Sequence, residues 1–170
     1  NKFPNEEFVD PTTFDWNDKT KWASYTFIPD YKPNGLKVDV VICPRNRKID
    51  KHRNWKKEKW QLLVDSLSQY SIGSCGAVDT TYKLDGVINS FDYDDISSDI
   101  EMIRNSKIVV CQESGLLYLA MMCQKPIITV DELNEVSIAH AGNVQISSVI
   151  GGYKKVADKI IEVLDHKTNI

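Results

Sequence analysis

The chain has 170 residues, 42% of them hydrophobic, with a formal net charge of −3 and a pI near 5.6. That is enough for one domain with a real core and not comfortably for two, and the acidic balance argues against a nucleic-acid partner. No apolar run of ~18 residues and no signal-like start occur, so no transmembrane segment is expected and a soluble, cytoplasmic protein is the default.

Residues 1–37 lack clear periodicity and carry Pro4, Pro11, Pro29 and Pro33, yet they hold eight of the sixteen aromatics, among them Trp16, Trp22, Tyr25 and Phe27. Disordered tails are poor in such residues. An aromatic-rich arm or linker that is buried against its own domain or a partner surface is therefore expected here, with an α/β domain over 38–170. Within the arm, Tyr25 to Ile28 can form a short edge strand, and Lys32 to Gly35 (KPNG) reads as a turn. The chain starts at Asn1 rather than Met, which suggests an upstream segment.

Val38, Val40, Val41 and Ile42 form a β-branched run ended by Pro44. Apolar residues on consecutive positions predict a strand covered on both faces, central in its sheet. Trp60, Leu63, Val64 and Leu67 are spaced as one helical stripe, and Asn54 is placed to cap that helix. Between strand and helix lie Arg45, Arg47, Lys48, Lys51, Arg53, Lys56, Lys57 and Lys59, opposed only by Asp50 and Glu58. A cationic loop that leaves the carboxyl end of a strand and feeds a helix is suited to hold a phosphate, through side-chain charge and helix N–H groups. Lys56, Lys57 and Lys59, on the helix itself, read as a solvated face.

Further strands are predicted at Tyr70 to Cys75, Val87 to Ile88 and Lys107 to Cys111, with a helix from Asp94 to Arg104 that turns Ile96, Ile100 and Ile103 inward. The six carboxylates between Asp85 and Glu101 meet no Lys or Arg in that stretch and read as solvated surface. The segment Cys111 to Val130 is a strand end, a Ser-Gly helix start, an almost wholly apolar helix and another strand. Ser114 is a good N-cap and Gly115 permits close approach to the backbone, which makes this helix start a second candidate phosphate cradle; an ordinary cap is the alternative. A polar connection (Asp131 to Asn143), a short apolar run (Val144 to Ile150) and a helix from Tyr153 to about His166, with Val156, Ile160 and Leu164 inward, complete the chain. Strands alternating with helices give a doubly wound, mostly parallel sheet with helices on both faces.

Several chemistries find no support. CPRNRK stands where a Gly-rich dinucleotide fingerprint would follow the first strand, and no P-loop is present. Asp39 lies at the wrong end of its strand for a response regulator. His52, His140 and His166 lack metal-ligand spacing, and Cys43, Cys75, Cys111 and Cys123, without CxxC spacing, read as reduced, buried thiols.

Two segments resemble the C-terminal, donor-binding domain of GT-B glycosyltransferases, specifically the lipopolysaccharide heptosyltransferase-like family. The first is DKHRNWKKEKWQLLVDSL (Asp50 to Leu67); the second is MIRNSKIVVCQESGLLYLAMMCQKPIITV (Met102 to Val130). The resemblance implies a Rossmann-like half of a GT-B fold and binding of a nucleotide sugar without metal or cofactor, for hexosyl or heptosyl transfer to an acceptor glycan or lipid. Lys51, Ser114 and Gly115 would hold the diphosphate, with Arg45 and Arg47 from the basic loop. The family's acidic residue facing the donor sugar falls on Glu113, longer by one methylene than the usual Asp and a weak candidate for the catalytic base; its early-helix His falls on Tyr118. The acceptor site and base of that family lie in an N-terminal domain, which 37 residues cannot form. The chain therefore reads as half an enzyme, completed by an N-terminal domain or a partner chain. A non-catalytic sugar-nucleotide or anion-binding module, acting as an assembly component, is the alternative.

Overall fold

The computed structural model describes residues 35–49, 51–93, 96–131 and 144–166. The arm with its Tyr25–Ile28 strand, the head of the KPNG turn and most of the polar connection lie outside the described residues.

Six strands, β1 (Val40–Cys43), β2 (Ile72–Ser74), β3 (Ile88–Asn89), β4 (Ile108–Cys111), β5 (Ile127–Thr129) and β6 (Ile146–Ser148), form one sheet in the order β3-β2-β1-β4-β5-β6. Every pairing among the described residues is parallel, in line with the doubly wound, mostly parallel sheet expected from the sequence. β1 and β4 pair from Val40↔Ile108 to Cys43↔Cys111, and all eight of their residues are buried. Their uninterrupted apolar runs are what burial on both faces requires.

The pleat divides that burial between two layers. Val40, Ile42, Ile108, Val110 and Ile128 point to α1 (Lys57–Asp65) and α4 (Tyr153–His166), where Trp60, Leu63, Val64, Val156, Ile160 and Leu164 fill the layer. Val41, Cys43, Val109, Cys111 and Ile127 point to α2 (Ile96–Asn105) and α3 (Gly115–Met122), against Ile100, Met102, Ile103, Leu117 and Leu119. The apolar α3 owes its place to this packing and stops in a Schellman arrangement: Gln124 takes φ 54°, its N–H reaches Met121 O at 2.9 Å, and Lys125 N–H reaches Ala120 O at 3.1 Å.

Three expectations need correction. Asn54 does not cap α1: Lys56 occupies the cap position, and the Asn54 side chain instead accepts from Arg45 Nη1 at 2.6 Å and donates to Arg47 O at 2.8 Å. Ile96 begins α2 but is 62% exposed, because the helix turns Ile100, Met102 and Ile103 to the sheet instead. The carboxylates of the acidic stretch are not all solvated, since Glu101 is buried and accepts from Gly35 N, and Asp99 accepts from Gly76 N. These two carboxylates bind backbone donors of loops that cross the α2 face.

Candidate functional site

Strand order reverses between β1 and β4, whose connections leave to opposite sides; in doubly wound sheets the crevice outside the carboxyl ends of the strands at such a point is where ligands bind. From β1 comes the basic loop. Arg45 is buried and braces it from within, held by Asn54 Oδ1 and, at 3.4 Å, by Ile49 O. Arg47 is exposed on the β2 side, where Asn46 N–H binds Thr80 O at 2.8 Å. With Lys48, Ile49, Asp79 and Thr80 it lines a depression of about 210 Å³, smaller than the ~300 Å³ at which ligand pockets begin. The loop then makes a 3-10 turn, Lys51–Arg53, that carries Lys51 exposed and swings Arg53 toward β4.

From β4 comes Gln112-Glu113-Ser114-Gly115. Gln112 is 1% exposed; its Nε2 donates to Arg53 O and its Oε1 accepts from Trp55 N at 3.4 Å. This one amide ties the two loops together across the crevice. Arg53 Nη2 meets Glu113 Oε2 at 2.8 Å and Glu113 O at 3.4 Å. Ser114 takes the N-cap position of α3 in extended backbone, yet its hydroxyl makes no capping bond; its carbonyl accepts from Leu117 N at 3.1 Å. Gly115 is exposed, and a Cβ built on it would meet nothing within 4 Å. Tyr118 stands one turn further on the same face, half-buried.

Asp131, just past β5, completes the wall. Burial pushes its carboxyl up from the usual value, opposed by the nearby Arg53 and by the Glu113 N–H and reinforced by the Glu113 charge. Its Oδ1 is buried and has no hydrogen-bond partner among the described residues. The structure thus joins Lys51, Glu113, Ser114, Gly115 and Tyr118 in one region, leaves Arg47 on its β2 flank and puts Arg45 underneath. Gln112 and Asp131 enter as residues that sequence reasoning did not single out, and Arg53, named there only among the cations of the basic loop, enters through its contact with Glu113. Free, buried cysteines with thiols pushed up by desolvation offer no thiolate nucleophile. Among the described residues no His/Cys/Asp/Glu cluster could hold a metal ion, and no helix is long and apolar enough to cross a membrane.

No protein-family model matches the sequence, and no curated protein matches it. Solved structures do. The E. coli heptosyltransferase WaaC with ADP superposes with a TM-score of 0.52 at 14% identity, over 79% of this chain and 45% of its own. A glycosyl transferase family 9 protein from Veillonella parvula gives 0.53 at 9%, over 75% and 45%. A protein described as a UDP-N-acetylglucosamine 2-epimerase from Listeria monocytogenes gives 0.53 at 12%, over 86% and 43%. The chain spans less than half the length of each of these structures. What is shared at such identities is the backbone arrangement: this chain has a GT-B glycosyltransferase-like, Rossmann-type α/β fold.

Proposed function

We propose that this domain binds a nucleotide-diphosphate sugar at the crevice between β1 and β4, as the donor for glycosyl transfer to an acceptor held by another domain or partner. One observation carries the reading: at the switch point, an exposed cationic turn bearing Lys51 lies beside a helix start whose glycine is open to solvent and whose Ser114 hydroxyl is not spent on capping. Lys51 supplies a point charge, Ser114 a hydroxyl, and the first turn of α3 its free N–H groups and the positive end of its dipole. That the E. coli heptosyltransferase was solved with ADP supports a nucleoside diphosphate as the ligand here.

In such a reaction the departing nucleoside diphosphate gains negative charge as the bond to the sugar breaks. Donors already aimed at it lower the barrier without a metal, while a base from the acceptor side removes the proton of the attacking hydroxyl. Four free cysteines fit a reducing compartment, and we place the protein in the cytoplasm on that ground.

A second reading, sugar-nucleotide binding without transfer, is favoured by one contact. Glu113, the carboxylate the resemblance directs at the donor sugar, is engaged by Arg53 at 2.8 Å. The first test is a calorimetric titration of the 170-residue chain with ADP, GDP, UDP, CDP and CMP. One of the diphosphates binds, and more tightly than CMP; a panel with no binding refutes both readings.

A further inference from the structure

We propose that Arg53 is the anion-gripping residue of this crevice and that Glu113 acts as its positioning residue rather than as a contact to the donor sugar. The inference rests on the nucleotide-sugar reading above. Arg53 leaves the 3-10 turn and spends one nitrogen, Nη2, on the Glu113 carboxylate and carbonyl. Its Nη1 and Nε have no hydrogen-bond partner among the described residues, and the side chain is 33% exposed. The guanidinium is thus anchored at Nη2 while the N–H donors of Nη1 and Nε stay open, which makes it a fixed cation with donors left over for an anion's oxygens.

Three further observations bear on it. Glu113 directly precedes Ser114 and Gly115, so the anchored guanidinium stands beside the helix start that offers N–H groups. Gln112, buried, holds the Arg53 carbonyl and so fixes the backbone from which the side chain springs. Asp131 lies close enough to interact with both Arg53 and Glu113, so the guanidinium is flanked by two carboxyl groups. Glu113 is only 17% exposed, and its distal oxygen is committed to Arg53. A carboxylate so placed orients its cation; it is poorly disposed to read sugar hydroxyls as well.

The experiment is a double-mutant cycle, Arg53→Ala, Glu113→Ala and the pair, in the 170-residue chain. Affinities for ADP, GDP, UDP, CDP and inorganic pyrophosphate are read by calorimetry, and each variant's fold by thermal unfolding. Arg53→Ala weakens the tightest diphosphate by about tenfold or more, as expected for the loss of a hydrogen bond between charged groups. Pyrophosphate, which has no base or sugar, suffers the same loss. Glu113→Ala gives a smaller fall that is partly rescued in Glu113→Gln and vanishes in the Arg53→Ala background.

Should Arg53→Ala fail to fold, Arg53→Lys replaces it: charge is kept, the guanidinium that is anchored on Glu113 with donors to spare is lost, and diphosphate binding still falls. Equal affinity in the folded Arg53 variants and the parent overturns the proposal. An undiminished effect of Glu113→Ala in the Arg53→Ala background overturns the positioning role and returns Glu113 to the ligand. A parent chain that binds no diphosphate refutes the underlying reading, a result distinguishable from both.

Discussion

Lys51 and Asp39 show how charged side chains outside opposite ends of the same strand take different tasks. Lys51 is exposed on the turn outside the carboxyl end of β1, where a phosphate can use its charge. Lys51→Ala is expected to weaken nucleoside diphosphate binding by about 1–3 kcal/mol, the range for a charge-assisted bond, measured by calorimetry against the parent. Lys57 is exposed on α1, so its Ala variant should change stability by no more than ~0.5 kcal/mol, whereas the Ala variant of Lys59, whose Nζ lies 5.6 Å from the centre of the Trp55 ring, should lose about 0.5–1 kcal/mol. Asp39, just before β1, is structural: it accepts from Ser71 Oγ at 2.6 Å and Ser71 N at 3.0 Å and pairs with Lys107 Nζ at 2.9 Å, tying together the starts of β1, β2 and β4. The Ser71 hydroxyl foremost, then Lys107, holds its carboxyl down at about 2 from the usual 3.8. A carboxyl with a lowered folded value stabilises above its unfolded value and loses that contribution as pH falls through the folded one. The parent should therefore exceed Asp39→Asn in urea stability at pH 7 by about 1 kcal/mol, modest because the cluster is partly exposed. The gap should close between pH 4 and pH 2; a gap independent of pH would show that the carboxylate charge is not what matters.

At the scale of elements, α3 is the one whose start is proposed to meet the ligand and whose body is core. Replacing Gly115 by Val separates these roles, since its position is open and requires no positive φ. The branched side chain should leave the fold standing, because Val is no poorer a helix former than Gly, while blocking a phosphate from the backbone. Nucleotide binding is expected to disappear in a variant whose thermal unfolding is nearly that of the parent; normal binding would move the phosphate away from α3. The elements themselves were legible in the sequence wherever burial on both faces or on a single stripe leaves a pattern, as in Val40–Cys43, Ile108–Cys111 and Trp60-Leu63-Val64. What failed was local polar chemistry. Asn54 before a helix looks like a cap, but its amide is taken by Arg45 and Arg47, whose backbone approaches only after the loop has folded. Ile96 has helical spacing but stands at the end of α2, beyond the reach of the sheet. The Arg53–Glu113 pair spans 60 residues and unites two loops that only the β1–β4 pairing brings together. Such a contact has no periodicity to betray it, although a cation two residues past Lys51 and a carboxylate before Ser-Gly were both visible.

For the whole molecule, the question is whether binding is accompanied by transfer. The described residues build one sheet, and the carboxyl groups at its β1–β4 switch point are already occupied with Arg53: Glu113 through a direct pair, Asp131 through its field. Transfer requires an acceptor hydroxyl held in line with the sugar and beside a base, an arrangement that can lower the barrier by about 7–11 kcal/mol relative to reactants that must meet in solution. In the family that the two motifs resemble, those groups come from an N-terminal domain. The 170 residues by themselves are accordingly expected to bind the donor and hydrolyse it slowly at most, with transfer appearing once an acceptor-binding domain or partner is supplied. Donor consumption, followed for this chain alone and for the chain with such a domain fused or added, decides it. Robust transfer by the 170 residues alone would place the base among them. Asp131 would then be the first carboxyl to replace, because burial already pushes it toward holding a proton, and Glu113 the second.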